Sequence, residues 1–230
     1  MTLCMDSNSA TEKMKEGIVV QDGNYVFKEE IHYTVLKTSL FFSGDGFTVY
    51  DCHGQVVFRV DSYGPDSRGV DELILMNPQG CCLLTVRRKQ RPSMHQRWEG
   101  FKGERIDGDK PTFSVKRSMM IGRQRAGVTV EVYDNQHEEY HIEGCFSQRC
   151  CTVFNAKKET MAEIYRKVDP TTGNLLGKEV FSLCVKPGFD AAFAMGFVLV
   201  LDHISGDDSI NDDATSEPTV HPTVEDYEDK

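Results

Sequence analysis

Eleven consecutive residues without a polar side chain, Ala191 to Leu201 (AAFAMGFVLVL), lie near the C-terminus of a 230-residue chain whose other apolar segments are short. A helix apolar on every face belongs inside protein. Crossing a bilayer takes about 20 residues, and Asp190 and Asp202 close this run at both ends. The run is predicted to be a buried helix around which the rest of the chain is built. Taken from Phe189 to Ile204, it spans about 24 Å at about 1.5 Å per residue, close to a seven-residue strand at about 3.4 Å per residue. Asp190, after Pro187-Gly188, is the expected N-cap, and Ser205-Gly206 the expected stop. Val198 to Leu201, taken alone, also fits a last strand.

Between Ile18 and Val185, runs of four to eight residues rich in Val, Ile, Phe, Tyr and Thr alternate with turn residues, the pattern of antiparallel β structure. An internal repeat sharpens it. Phe47 to Val60 (FTVYDCHGQVVFRV) aligns without a gap on Leu73 to Val86 (LILMNPQGCCLLTV), with Asp51 over Asn77 and Gly54 over Gly80. Each is read as a hairpin: the Asx side chain bonds its own backbone in the turn, and Gly supplies the positive φ that resumes the second strand. A third copy, Cys151 to Val168, keeps Asn155 in place and is expected to have a longer turn without glycine. Further strands are read near Ile31 to Phe42, His95 to Lys102, Thr112 to Arg117, Val128 to Asp134, His141 to Ser147 and Glu179 to Val185, about a dozen in all. A sheet of that size tends to close. Eight strands leave room only for side chains, whereas a larger closed can holds a central helix. The predicted fold is a mainly β, closed antiparallel barrel enclosing the apolar helix. Residues 1–24 are expected to be a flexible segment, 25–205 one barrel domain, and 206–230 a disordered acidic tail.

Charge is unevenly placed along a chain of net charge -10. From Gly206 to Lys230 there are nine Asp/Glu and one Lys, net -8, whereas Arg87 to Arg125 holds twelve Lys/Arg against four Asp/Glu, net +8. The polar tail buries too little apolar surface to offset its ordering entropy. The first residues mix charges and offer no apolar secretory core, so a cytoplasmic protein is expected. Eight scattered cysteines without a CxxC pair are then expected to be reduced and structural.

The stretches Ser39–Tyr63 (SLFFSGDGFTVYDCHGQVVFRVDSY), Leu83–Glu104 (LLTVRRKQRPSMHQRWEGFKGE), Phe113–Ser118 (FSVKRS) and the closing FDAAFAMGFVLVLDHI carry a resemblance to the LURP-one-related family of plants. The most distinctive piece is Ser93 to Trp98 after a basic strand end. The resemblance implies membership of the tubby C-terminal and phospholipid scramblase group of folds, and hence a twelve-stranded barrel around a C-terminal helix. It also implies a link to plant defence and, through the fold relatives, to phosphoinositide or membrane association. It implies no catalytic residues.

Arg87, Arg88, Lys89 and Arg91, followed by His95 and Arg97, form the densest basic cluster, with Lys116 and Arg117 behind it and Arg123 and Arg125 beyond. Arg forks suit phosphate oxygens, and each cation gains about 1 kcal/mol near an anionic membrane. These residues are the candidate site for anionic phospholipid or phosphoinositide. The competing reading is alternate residues facing solvent at strand ends. Nucleic acid is not expected of an acidic chain without a recognition element. His137-Glu138-Glu139-Tyr140-His141 satisfies the zinc-hydrolase pattern H-E-x-x-H, but that chemistry needs a helix, and the flanking residues read as a hairpin. Asp207, Ser209, Asn211 and Asp213 lack the glycine and the final glutamate of a calcium loop. No nucleophile elbow or phosphate loop is read in the sequence, and lipidation is not expected. The expectation is a non-enzymatic, cofactor-free monomer, membrane-peripheral or with unidentified protein partners.

Overall fold

The computed structural model describes residues 20, 23–38, 46–61, 72–89, 97–106, 108–117, 127–133 and 138–213, with side chains as far as Ser205. Its strands are β1 (Ile31–Leu36), β2 (Gly46–Tyr50), β3 (Val56–Asp61), β4 (Glu72–Met76), β5 (Cys82–Arg88) and β6 (Arg97–Lys102). There follow β7 (Phe113–Arg117), β8 (Val128–Val132), β9 (Glu139–Cys145), β10 (Cys150–Asn155), β11 (Thr160–Arg166), β12 (Val180–Val185) and the helix α1 (Ala191–Asp213). Each strand pairs antiparallel with its sequence neighbours, and β1 pairs with β12, so the meander closes on itself. An even number of strands is what lets the two ends of an up-and-down meander meet antiparallel.

The three repeated hairpins share one turn. In the first, Asp51 Oδ1 accepts the His53 and Gln55 amides at 2.8 and 2.9 Å, and the Gly54 amide donates to the Asp51 carbonyl at 3.1 Å. Asn77 Oδ1 accepts the Cys81 amide at 2.8 Å in the second. Asn155 Oδ1 accepts the Lys157 and Glu159 amides, both at 2.9 Å, in the third. Gly54 and Gly80 take φ of 76° and 86°. This is a type I turn followed by a left-handed residue that starts a bulge, and the ladder slips one residue before each Asx, at Val49/Tyr50, Leu75/Met76 and Val153/Phe154. The third turn is therefore no longer than the others, contrary to expectation: Lys158 itself adopts the left-handed conformation, φ 63°, in the glycine's place.

The apolar run is the plug. Every residue from Ala191 to Leu201 is buried, so the choice between helix and last strand at Val198–Leu201 falls to helix. Asp190 caps it as expected, its Oδ1 accepting the Phe193 amide at 2.9 Å and its Oδ2 the Val20 amide at 2.8 Å. Phe193 and Phe197 stack edgewise 4.4 Å apart and meet Phe113 and Tyr140 from the barrel wall. Gly196 lets the helix approach β5: a Cβ there would lie 2.5 Å from Leu84 Cδ2.

Two boundaries differ from the reading of the sequence. The helix does not stop at Ser205-Gly206 but runs to Asp213, because among the described residues none after Ile204 turns left-handed and one glycine costs a helix only about 1 kcal/mol. Residues 206–213 of the expected disordered tail are thus helical, and 214–230 lie outside the described residues. At the other end, Val20, within the stretch expected to be flexible, is fully buried. Val26 bridges Asp190, and the Ala191 amide donates to the Tyr25 carbonyl at 3.0 Å, so this segment closes the barrel over the helix N-terminus.

The two rims therefore differ. One carries the three Asx turns and the closure made by Val20 and residues 23–27. The other, where α1 leaves, carries the C-terminal ends of the odd-numbered strands and the starts of the even-numbered ones, including Arg88, Arg97 and Arg117. Among the described residues no helix is long and apolar enough to cross a membrane.

Candidate functional site

The basic cluster lies on adjacent strands at the helix-exit rim. Arg87 and Arg88 end β5, Lys89 follows, Arg97 opens β6, and Lys116 and Arg117 end β7. Arg91 and His95 lie outside the described residues, as do Arg123 and Arg125. Strand alternation divides the six described cations. Arg88 pairs in register with Trp98, which is buried and meets the His203 ring of α1 at 5.2 Å, and Arg117 lies two residues beyond Val115, the other partner of Trp98. Arg88 and Arg117 thus share the inward face at the rim. Arg87, Lys89, Arg97 and Lys116 form a row on the outer wall.

That outer row is interleaved with carboxylates, which a linear reading could not show. Arg87 lies in register between Glu72 of β4 and Glu99 of β6. The Lys89 ammonium pairs with Glu99 at 2.5 Å. Arg97 Nη2 donates to Ser114 Oγ at 3.1 Å and to the Tyr133 hydroxyl at 2.5 Å, with Glu131 at 3.8 Å. Lys116 pairs with Glu131, and that hydrogen bond, foremost among its causes, holds the Glu131 carboxyl below its ordinary range. Such half-exposed pairs contribute about 0–1 kcal/mol each, yet they neutralise much of the row. The surface is a mixed-charge lattice with a cationic excess toward the rim.

A buried ionic latch sits on the same rim, and the sequence did not announce it. Arg149, left-handed at φ 52° after the 3-10 turn Phe146–Gln148, is buried with its guanidinium 4.3 and 4.4 Å from the Phe146 and Phe181 ring centroids. Its Nε donates to the Lys178 carbonyl at 2.9 Å, and Nη1 lies 3.7 Å from Asp202 on α1. Asp202 also meets Lys37, beyond β1, at 3.1 Å. Desolvation pulls the Arg149 guanidinium below its ordinary pKa, and Asp202 opposes that shift. The carboxylate that ends the apolar run thus ties the helix to two sides of the barrel mouth. The one hint in the sequence was its position at the end of that run.

Metal-ligating residue types meet at one place among the described residues. Glu30, His32 of β1 and Cys184 of β12 bring their ligand atoms within 4.8 Å of one another. His32 Nε2 lies 3.0 Å from Glu30, and its Nδ1 3.1 Å from the Tyr165 hydroxyl. A cation already occupies the carboxylates: Lys186 lies 2.7 Å from both Glu163 and Glu30, which raise its pKa. The donor set suits a soft divalent ion only if that ammonium moves away.

The H-E-x-x-H segment is extended where it is described. His137 lies outside the described residues, Glu138 accepts the Tyr140 hydroxyl at 2.6 Å, and His141 sits on β9 with its Nε2 3.6 Å from Glu139. In register β8 runs beside β9, so the segment leads into a strand rather than the helix that a zinc-hydrolase motif requires.

The family model described as LURP-one-related matches residues 31–202, from the first residue of β1 to Asp202 of the latch. Protein LURP-one-related 12 of Arabidopsis thaliana is 58% identical over 215 residues, 94% of each chain. Protein LURP-one-related 5 of the same plant is 59% identical over 216 residues, 93% of this chain and 100% of the relative. A solved X-ray structure of an Arabidopsis thaliana protein, 23% identical, superposes with a TM-score of 0.59 over 82% of this chain and 99% of its own, which shows a shared fold. With a helix-filled, twelve-stranded barrel on the page and a family match spanning it from first strand to latch, the chain belongs to the LURP-one-related family.

Proposed function

We propose that this protein is a non-enzymatic binding barrel that associates from the cytoplasm with anionic phospholipid or phosphoinositide surfaces through the β5–β7 end of its helix-exit rim. The role in plant defence or stress that the family resemblance implies belongs to the same proposal. The observation that carries it is the filled interior. A barrel whose central helix is buried on every face from Ala191 to Leu201 keeps its interior for packing, so a ligand meets the outer wall, the rims or the loops. Of those surfaces, the rim bearing Arg87, Arg88, Lys89, Arg97, Lys116 and Arg117 concentrates cations on three adjacent strands. Each is worth about 1 kcal/mol near an anionic surface, less where Glu99 and Glu131 compete, so binding is weak and salt-sensitive.

The test is vesicle co-sedimentation with neutral, phosphatidylserine and phosphoinositide membranes at low and physiological salt. Wild type is compared with a variant carrying Arg87→Glu, Arg88→Glu, Lys89→Glu and Arg91→Glu. The expected result is binding that requires anionic lipid, weakens with salt and is lost in the variant. Absence of binding at low salt, or binding untouched by charge reversal, would overturn the reading.

A further inference from the structure

A second chemistry lies on the helix-exit rim, in a pair of thiols. Cys145 ends β9, Cys150 opens β10, and the two are direct register partners across the 3-10 turn. Directly opposed residues of an antiparallel pair point to the same face, with Cα atoms about 4.5–5.5 Å apart. That lies within the range of about 4.4–6.8 Å that disulfides span. Both thiols are exposed.

The surroundings of Cys145 set it apart from the other described cysteines. Cys145 Sγ lies 3.1 Å from Ser147 Oγ. That hydroxyl, the Gln148 and Ser147 amides and the charge of Lys178 favour the thiolate, and the thiol is held below its ordinary range. Burial acts in the opposite direction on Cys151, pushed up to about 12, and on Cys184, pushed up to about 11. An exposed, acidified thiol facing a second exposed thiol is the arrangement of a reactive cysteine with its resolving partner.

We propose that Cys145 and Cys150 are a reversible dithiol–disulfide site that reacts with hydrogen peroxide. The Cys145 thiolate attacks one peroxide oxygen, the O–O bond breaks, and the departing hydroxide takes a proton to become water, leaving a sulfenic acid on Cys145. The Cys150 thiolate then attacks that sulfur; the S–O bond breaks, the S–S bond forms, and hydroxide with one proton leaves as a second water. Two thiols and one peroxide give one disulfide and two waters; each sulfur loses one electron and the peroxide gains two. A small-molecule thiol such as glutathione reverses the step by exchange. The new bond would staple the turn whose next residue, Arg149, holds the central helix through Asp202.

The sequence supplies a clean readout, because Arg149 lies between the two cysteines and trypsin separates them unless a disulfide joins the peptides. The purified full chain is treated with hydrogen peroxide, blocked with N-ethylmaleimide and analysed by intact mass and tryptic mapping. The expected result is a loss of two hydrogens, a linked peptide pair containing Cys145 and Cys150, and reversal by glutathione. Cys150→Ser should abolish the link and leave a Cys145 sulfenic acid that dimedone traps; Cys145→Ser should abolish both. Circular dichroism of each serine variant confirms that the barrel is intact. Without peroxide, iodoacetamide at neutral pH should label Cys145 faster than Cys52 and Cys81. A link that survives Cys150→Ser by using Cys151, a disulfide between other cysteines, or no disulfide at all would overturn the proposal.

Discussion

At the scale of single residues, two left-handed side chains show opposite uses of the same backbone conformation. Lys158 occupies a turn position that the two sister hairpins give to glycine, at a cost of about 1–2 kcal/mol for an L-residue. Lys158→Gly should therefore raise stability by about 1 kcal/mol in urea titration, and a loss of stability would refute the equivalence of the three turns. Arg149 spends the same strain on a buried guanidinium gripped by Phe146, Phe181 and Asp202. Arg149→Ala leaves Asp202 with Lys37 as its ion-pair partner among the described residues and should cost about 3 kcal/mol. At the opposite end, burial raises the Asp190 carboxyl above its ordinary range despite the amides it accepts. A folded pKa above the unfolded value gives a stabilising contribution that is complete below about pH 4 and is lost as pH rises through the folded pKa. The stability of Asp190→Asn relative to wild type should therefore improve as pH rises above about 4, measured by urea denaturation across that range; a flat difference would contradict the burial account.

At the scale of elements, the strands and the plug were legible because their signals are local. Short runs rich in Val, Ile, Phe, Tyr and Thr between turn residues marked the twelve strands, the Asx–Gly repeat marked two hairpins, and an uninterrupted apolar run closed by Asp190 marked the helix and its cap. Three things were not legible, each for a physical reason. The left-handed Lys158 has no side-chain signature. The helix C-terminus ignores Gly206, since a glycine without a left-handed turn only weakens a helix. The pairing of Lys89 with Glu99 and of Lys116 with Glu131 depends on which strands lie side by side, which no linear reading of a basic cluster contains. The cations of the candidate site were thus legible in the sequence, and their carboxylate partners Glu99 and Glu131 were not. The helix makes its own prediction. Gly196→Ala gains about 1 kcal/mol of helix propensity but places a methyl 2.5 Å from Leu84 Cδ2, and overpacking costs about 1–3 kcal/mol. The net effect should be a loss of about 1 kcal/mol in thermal or urea unfolding, while Gly196→Leu should prevent the barrel from closing.

At the scale of the whole molecule, the two ends of the barrel differ. Val20, residues 23–27 and the Asx turns close the first, and the helix, the cationic strand ends, the Arg149 latch and the Cys145/Cys150 turn meet at the second. The helix α1 leaves through that rim and ends at Asp213. Residues 214–230 carry five Asp/Glu and one Lys, net -4. Their deletion should strengthen low-salt binding to anionic vesicles, and unchanged binding would remove the tail as a competitor. The proposed function keeps the interior for packing and gives the rim to binding. Hydrogen–deuterium exchange of the full chain with and without phosphoinositide vesicles tests it most directly. Added protection is expected at the β5–β6 and β7–β8 ends of the helix-exit rim, with the amides of Phe193 to Leu201 unchanged and exchanging only on global unfolding. Protection that changes along the central helix while the rim stays as before would contradict it.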